Sequence, residues 1–178
     1  RGYAIGFEGL IQFIKGLLPG SEVIKNALRH ETSVYPEIAI RELTANCLIH
    51  QDFTIRGSGP MIEIFEDRIE FTNPGKLLPT KKLDRLIRTT PESRNEILAA
   101  AFRRYNICEE RGSGFEKSVI AIELFGLPPL KFEESENAFK VTLFSPRKFA
   151  DMSNDERIEA CYQHSIIMYF GEGGFNNT

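Results

Sequence analysis

The sequence predicts an α/β fold in two layers, a mixed, largely antiparallel sheet covered on one side by helices. Two observations carry this expectation. The stretches "PMIEIFEDRIEFTNPG" and "LKFEESENAFKVTLF" alternate apolar and polar residues around a short polar centre, as hairpins do. The stretches "FEGLIQFIKGLL", "YPEIAIRELTANCLIHQDF" and "NEILAAAFRRYNI" instead space their apolar residues at helical intervals. Strands with one apolar face and helices with one apolar stripe bury both by stacking in layers.

The elements follow in order. Phe7, Leu10, Ile11, Ile14, Leu17 and Leu18 predict a first helix, closed by "LPG" at 18 to 20. "SEVIKNALRHETSVYP" is rich in β-compatible residues and ends at Pro36, whose ring suits the first turn of a long helix from Pro36 to His50. In the first hairpin, a turn at Glu66 and Asp67 sets Ile64 opposite Ile69 and Ile62 opposite Phe71; the same register sets Glu63 beside Glu70, a like-charge pair. Residues 76 to 95 are polar and basic, contain Pro79 and Pro91, and read as a mobile covering segment with a short helical pattern at Leu83, Leu86 and Ile87. Within it Lys81, Lys82, Arg85 and Arg88 form either a basic face toward phosphates or an ordinary solvated face. After "NEILAAAFRRYNI", Gly112 and Gly114 precede a helix carrying Val119, Ile120, Ile122 and Leu124, ended by Gly126 and Pro128.

Composition narrows the class. A 178-residue chain with 42% hydrophobic and 26% charged residues can bury a full core. Its net charge of −3 argues against a surface built throughout to grip nucleic acid, so any such contact is local. Cys47, Cys108 and Cys161 are far apart and form no CxxC, which points away from a disulfide framework or zinc site and toward a reducing, cytoplasmic setting. No apolar run approaches the ~20 residues of a membrane span. Residues 1–148 read as one domain and 149–178 as a linker followed by a helix, with Ser153 and Glu156 at capping-box spacing. That helix carries Ile158, Cys161, Tyr162, Ile166 and Tyr169, and is expected to pack on the body of the domain or on a second copy. Both ends of the sequence read as cuts in a longer chain.

Three short motifs bear on chemistry. Glu42, Asn46 and His50 fall at successive i, i+4 positions and so share a face of the long helix. A carboxylate there suits a general base and an amide oxygen suits a hard cation, a pairing that fits magnesium-assisted phosphate chemistry. The plainer alternative is a solvated stripe, and for His50 a hydrogen-bonded structural residue. "RGSG", Arg111 to Gly114, sets glycines before a helix, where backbone N–H groups and the dipole favour an anion; a flexible turn is the alternative. "TNPG", Thr72 to Gly75, ends a strand and is by itself a turn.

Taken together and in order, "YPEIAIRELTANCLIHQDF", "IEIFEDRIEFTNPGKL", "SRNEILAAAF" and "ERGSGFEKSVIAIELFGLPPLKF" resemble the C-terminal ATPase-like domain of bacterial and archaeal transcriptional regulators and RecG-related helicases. The resemblance runs through roughly residues 10 to 145. That domain is a divergent relative of the Bergerat, or GHKL-type, ATPase fold of gyrase B, heat-shock chaperones, histidine kinases and MutL. The resemblance implies ATP and magnesium as ligands, Glu42 as the water-activating residue and Asn46 as the metal contact. Asn73 would stand where an Asp accepts from the adenine amino group, and Gly75 would allow close backbone approach. Arg111, Gly112 and Gly114 would meet phosphates, with His50 a further phosphate contact.

Besides Asn73, this chain departs from the family pattern in three places. The second glycine of the family's first glycine motif, whose place "TNPG" takes, is missing, the later glycine motif is reduced to GSG, and Gln51 replaces the Arg of an HRDY-like feature. The departures imply weak binding and weaker hydrolysis, hence a nucleotide-binding regulatory module rather than a motor. No GxxxxGK[ST] loop is present to support a helicase. The alternatives are a RecG-related ATPase of DNA metabolism and a degenerate fold kept as an interaction or dimerisation scaffold. In relatives an AlbA-type DNA-binding domain precedes the ATPase-like domain and a winged helix follows it. On that pattern the helix after Ser153 would begin a truncated winged helix, and DNA would be contacted by regions outside these residues.

Overall fold

The computed structural model describes residues 2–25, 28–88, 90, 92–108 and 114–171. Along the chain run α1 (Tyr3–Leu17), β1 (Gly20–Lys25), β2 (Leu28–Ser33), α2 (Glu37–Ile49), β3 (Met61–Ile64) and β4 (Arg68–Pro74). A 3-10 segment, Leu83–Arg88, leads to α3 (Glu96–Arg104), α4 (Gly114–Leu124), β5 (Lys131–Glu134), β6 (Ala138–Phe144) and α5 (Asn154–Gly171). The sheet has four strands in the order β3-β4-β6-β5, all antiparallel, and the helices cover its apolar face. The segment read only as β-compatible forms a separate two-stranded ribbon, β1 with β2.

The first hairpin takes the expected register, with Ile64 opposite Ile69 and Ile62 opposite Phe71. Phe65 N–H donates to Arg68 O at 2.8 Å across Glu66 and Asp67, neither of which adopts a positive φ. Such a turn lacks the φ pattern favoured in tight hairpins, and Arg68 compensates for it. Its guanidinium lies 4.0 Å over the Phe65 ring and bonds Asp67 Oδ1 at 2.8 Å and Glu70 Oε1 at 2.6 Å. The like-charge pair is also relieved at Glu70. The Arg68 hydrogen bond, aided by Lys140 Nζ at 3.2 Å, holds its carboxyl below the usual range.

Two helices end in Schellman motifs, each fixed by one residue at positive φ. After α4, Gly126 (φ 68°) lets Leu127 N–H reach Ile122 O at 3.1 Å while its own N–H reaches Glu123 O at 2.9 Å. After α3, Asn106 (φ 54°) does the same, with Ile107 bonded to Phe102 O and Asn106 to Arg103 O, both at 2.9 Å. Leu127 and Ile107 then drop into the core.

α2 is the axis of the molecule. It touches α1, α3, α4 and β4, and nine of its thirteen residues are buried, including Glu42 and Thr44. Ala39, Ala45 and Cys47 keep its sides narrow, so neighbours approach from several directions. Hence its apolar residues occur all round instead of on one stripe. The core continues through the edge-to-face pair of Phe7 on α1 and Phe102 on α3, 5.5 Å between centroids.

α5 begins with the expected capping box: Glu156 N–H donates to Ser153 Oγ at 3.2 Å, and Ser153 N–H to Glu156 Oε2 at 2.8 Å. It packs against α4 and the 3-10 segment, and its contact face differs from the apolar residues singled out in the sequence. Gln163 and Ile167 are buried and Ile166 is partly so, while Ile158, Tyr162 and Tyr169 remain exposed. The basic pattern of the 76–95 segment does not lie along one regular helix, because the 3-10 segment leaves helical geometry at Arg85 (φ −132°, ψ 20°).

Phe102 is fully enclosed and spans from α3 to α1. Phe102→Ala should lower stability by about 3–5 kcal/mol, read as a drop in the urea midpoint at unchanged slope.

Candidate functional site

A buried helix must dispose of its last carbonyls, because they have no partner within the helix. At and just beyond the end of α2 four carbonyls find side-chain donors. Leu48 O accepts from Gln51 Nε2 at 2.8 Å. Ile49 O and Gln51 O accept from the two N–H groups of Asn95 at 2.8 and 2.7 Å. His50 O accepts from Arg94 Nε at 3.1 Å and more distantly from Asn73 Nδ2 at 3.4 Å. Arg94 also pairs with Asp52 Oδ2 at 3.2 Å and donates to Lys76 O at 2.6 Å. Asp52 is in turn held by Thr54, whose hydroxyl and N–H bond Oδ1 at 2.6 and 2.9 Å and keep the carboxyl below its ordinary range. One arginine and one asparagine thus tie the end of α2 to the loop after β4 and to the start of α3.

Beside this junction lies a cavity of about 140 Å³. Glu42, Asn46 and His50 line it from α2, Asn73 from β4, and Phe115 from the first turn of α4. Four of the expected residues therefore meet at one hollow. Lys76, Lys81, Arg94 and Arg103 stand on its wall against the carboxylates of Glu42 and Glu92, a balance that favours an anion. Gly114 begins α4 next to Phe115. Arg111 and Gly112 lie outside the described residues.

The local chemistry differs from residue to residue. Asn73 is buried, and its Nδ2 faces the carbonyls of His50 and Pro74, at 3.4 and 3.3 Å. With the N–H₂ side turned to two acceptors, the amide oxygen is left as the acceptor on the other side. The Asn46 amide has no hydrogen bond to a described residue. Burial, with Lys81 and Arg94 nearby, pushes the His50 imidazole down to about 4, so it is neutral at pH 7. Burial and the Glu42 charge push the Cys108 thiol up. Cys47 donates to Thr72 O at 3.1 Å and is pushed up to about 12, as an inert core thiol.

Gly75 has a structural reason to be glycine. Its φ is 97°, and a Cβ there would sit 2.7 Å from the Asp52 Cβ. The close approach it permits is to Asp52, whose N–H bonds Pro74 O at 2.8 Å, while Gly75 N–H reaches Asn137 O at 2.8 Å. Sequence reasoning assigned no role to Asp52, Arg94 or Asn95. The available signal was "SRN" directly before a helix, where Asn95 occupies the N-cap position yet makes no cap hydrogen bond.

Two predictions follow from this geometry. Asn95→Ala strands two carbonyls of the junction and should lower stability by about 2 kcal/mol or more; Asn95→Asp, which cannot donate, should be no better, as measured by chemical denaturation. His50 is neutral in the fold with a value of about 4 against an ordinary 6.5. Its contribution is therefore complete above pH 6.5 and is lost as the pH falls toward 4, amounting to up to about 3 kcal/mol. Denaturation curves at pH 7 and pH 4.5 should show His50→Gln losing less stability on acidification than the parent.

The fold is similar to part of the crystal structure of the DIP2311 protein from Corynebacterium diphtheriae, with a TM-score of 0.71 at 19% identity. That match covers 91% of this chain and 34% of the other, so the present chain spans about a third of that protein. No match is found among curated proteins. Residues 57–143 match the family described as "Putative ATP-dependent DNA helicase recG C-terminal". Asn73, Gly75, Arg111, Gly112 and Gly114 fall inside the matched segment, while Glu42, Asn46 and His50 precede it. Residues 57–143, just under half of the chain, are thus similar to a divergent GHKL-like ATPase domain of the RecG C-terminal family.

Proposed function

We propose that this chain is the nucleotide-binding regulatory module of a transcription regulator, taking ATP with magnesium and hydrolysing it weakly or not at all. The observation that carries the proposal is the meeting of Glu42, Asn46 and Asn73 at one cation-bordered hollow within an ATPase-like fold. Asn73 would accept from the adenine amino group through its one remaining amide oxygen. Asn46 would offer an oxygen to magnesium. Among the described residues no group of three or more His, Cys, Asp or Glu could hold a metal. The rest of the magnesium shell would therefore come from phosphate oxygens and water, as is usual for this ion. Magnesium would neutralise phosphate charge, and Glu42 would take a proton from the attacking water.

The fit is good in donor chemistry and tight in volume. About 140 Å³ lies below the 300–1,000 Å³ usual for a ligand pocket, so a nucleoside triphosphate would need the lining contributed by residues 76–78, 81, 86, 90 and 92–94 to move outward. That requirement supports weak binding and slow turnover. DNA contacts, a winged helix beginning at α5 and a cytoplasmic setting belong to the same proposal. They rest on the family resemblance alone.

Calorimetry with ATP, with and without magnesium, tests binding; no heat under either condition would leave the scaffold alternative. If turnover is detectable, Glu42→Gln should retain most of the affinity and reduce the rate by ~10² or more. An unchanged rate would remove Glu42 from the mechanism.

A further inference from the structure

The wall of the cavity is gripped from outside by α5. Tyr162 Oη donates to the Asp84 carbonyl, in the first turn of the 3-10 segment, at 2.6 Å. Two residues on, Leu86 lines the cavity, and with Ile87 it is buried. Between them Arg85 departs from helical geometry. The outer contact and the inner wall therefore stand on either side of one kink.

α5 itself is lightly held. Of its eighteen residues, only Gln163 and Ile167 among the described side chains are buried. Gln163 Nε2 donates to Leu130 O and Glu159 Oε1, both at 2.8 Å, but its own Oε1 is buried with no partner. An unsatisfied buried acceptor lowers the free energy gained by docking. The exposed pair of His164 with Glu123, 2.7 Å apart, adds little to this.

We infer that α5 is a latch on the cavity. Its docked position and the inward position of residues 81–88 stabilise one another, and a ligand larger than the cavity displaces both. Coupling of this kind is reciprocal: whatever loosens α5 tightens the ligand by the same factor, and ligand binding loosens α5. The ligand half of the inference rests on the nucleotide reading above; the mechanical half does not.

Tyr162→Phe removes one hydrogen bond and leaves the shape of the side chain. In the 178-residue chain it should speed backbone amide exchange across residues 81–88 by about two- to tenfold, the effect of one hydrogen bond on an opening equilibrium. ATP affinity, measured with magnesium, should rise by the same factor. Ile167→Ala loosens α5 at its other anchor and should move both readouts in the same direction. Unchanged exchange across 81–88 in both variants overturns the latch whatever calorimetry gives. Faster exchange with unchanged ATP affinity overturns the coupling to the cavity. Faster exchange with no ATP binding by any of the proteins keeps the latch and removes the nucleotide reading.

Discussion

The carbonyls at the end of α2 impose the constraint on which the rest of the structure depends. A helix lying at the edge of a protein loses its last carbonyls to water, but α2 is buried along most of its length and its terminus lies under the loop after β4 and the start of α3. Each carbonyl left without a donor would forfeit about 1–3 kcal/mol, a large fraction of the stability of an ordinary domain. Asn95, Arg94 and Gln51 supply the donors. In doing so they fix where three distant stretches of chain stand relative to one another.

Enclosure of α2 also decides what its polar stripe can be. A solvated Glu42–Asn46–His50 face would need the helix at the surface. Instead Glu42 is buried beside a hollow whose other walls include Asn73 on β4, Arg103 on α3, Phe115 on α4 and Val141 on β6. The hollow exists because polar side chains occupy positions where apolar ones would have closed the packing between α2 and the sheet. The neutral state of His50 follows from the same enclosure: a largely desolvated imidazole, facing Lys81 and Arg94, has little to gain from a proton.

What the sequence revealed depended on how local each signal was. The hairpin register could be read because Ile62, Ile64, Ile69 and Phe71 must share one face, and no tertiary knowledge is needed to pair them. The stop at Gly126 and the Ser153–Glu156 box were legible for the same reason, whereas the stop at Asn106 was not, since "NEILAAAFRRYNI" reads as helix throughout. The ribbon of β1 and β2 was not, because "SEVIKNALRHETS" lacks a tight-turn dipeptide and a clear apolar alternation. Nor was the contact face of α5, since its apolar residues are spread around the helix and only the neighbouring α4 selects among them. Asn95 illustrates the limit best: its position before a helix suggests a local cap, while its amide bonds two carbonyls more than forty residues away in sequence.

The same carbonyls account for a departure from the family pattern. The resemblance puts an acidic residue where this chain has Asn73. At that position one side of the group faces the carbonyls of His50 and Pro74. A carboxylate would present oxygen to oxygen on that side and be repelled, whereas an amide presents two N–H donors and keeps its oxygen for the cavity. The clamp that holds α2 therefore selects Asn over Asp here. Its consequence is an acceptor that is well oriented but uncharged, since a neutral hydrogen bond is about half as strong as a charge-assisted one. A carboxylate at this position would leave the His50 carbonyl to Arg94 Nε alone.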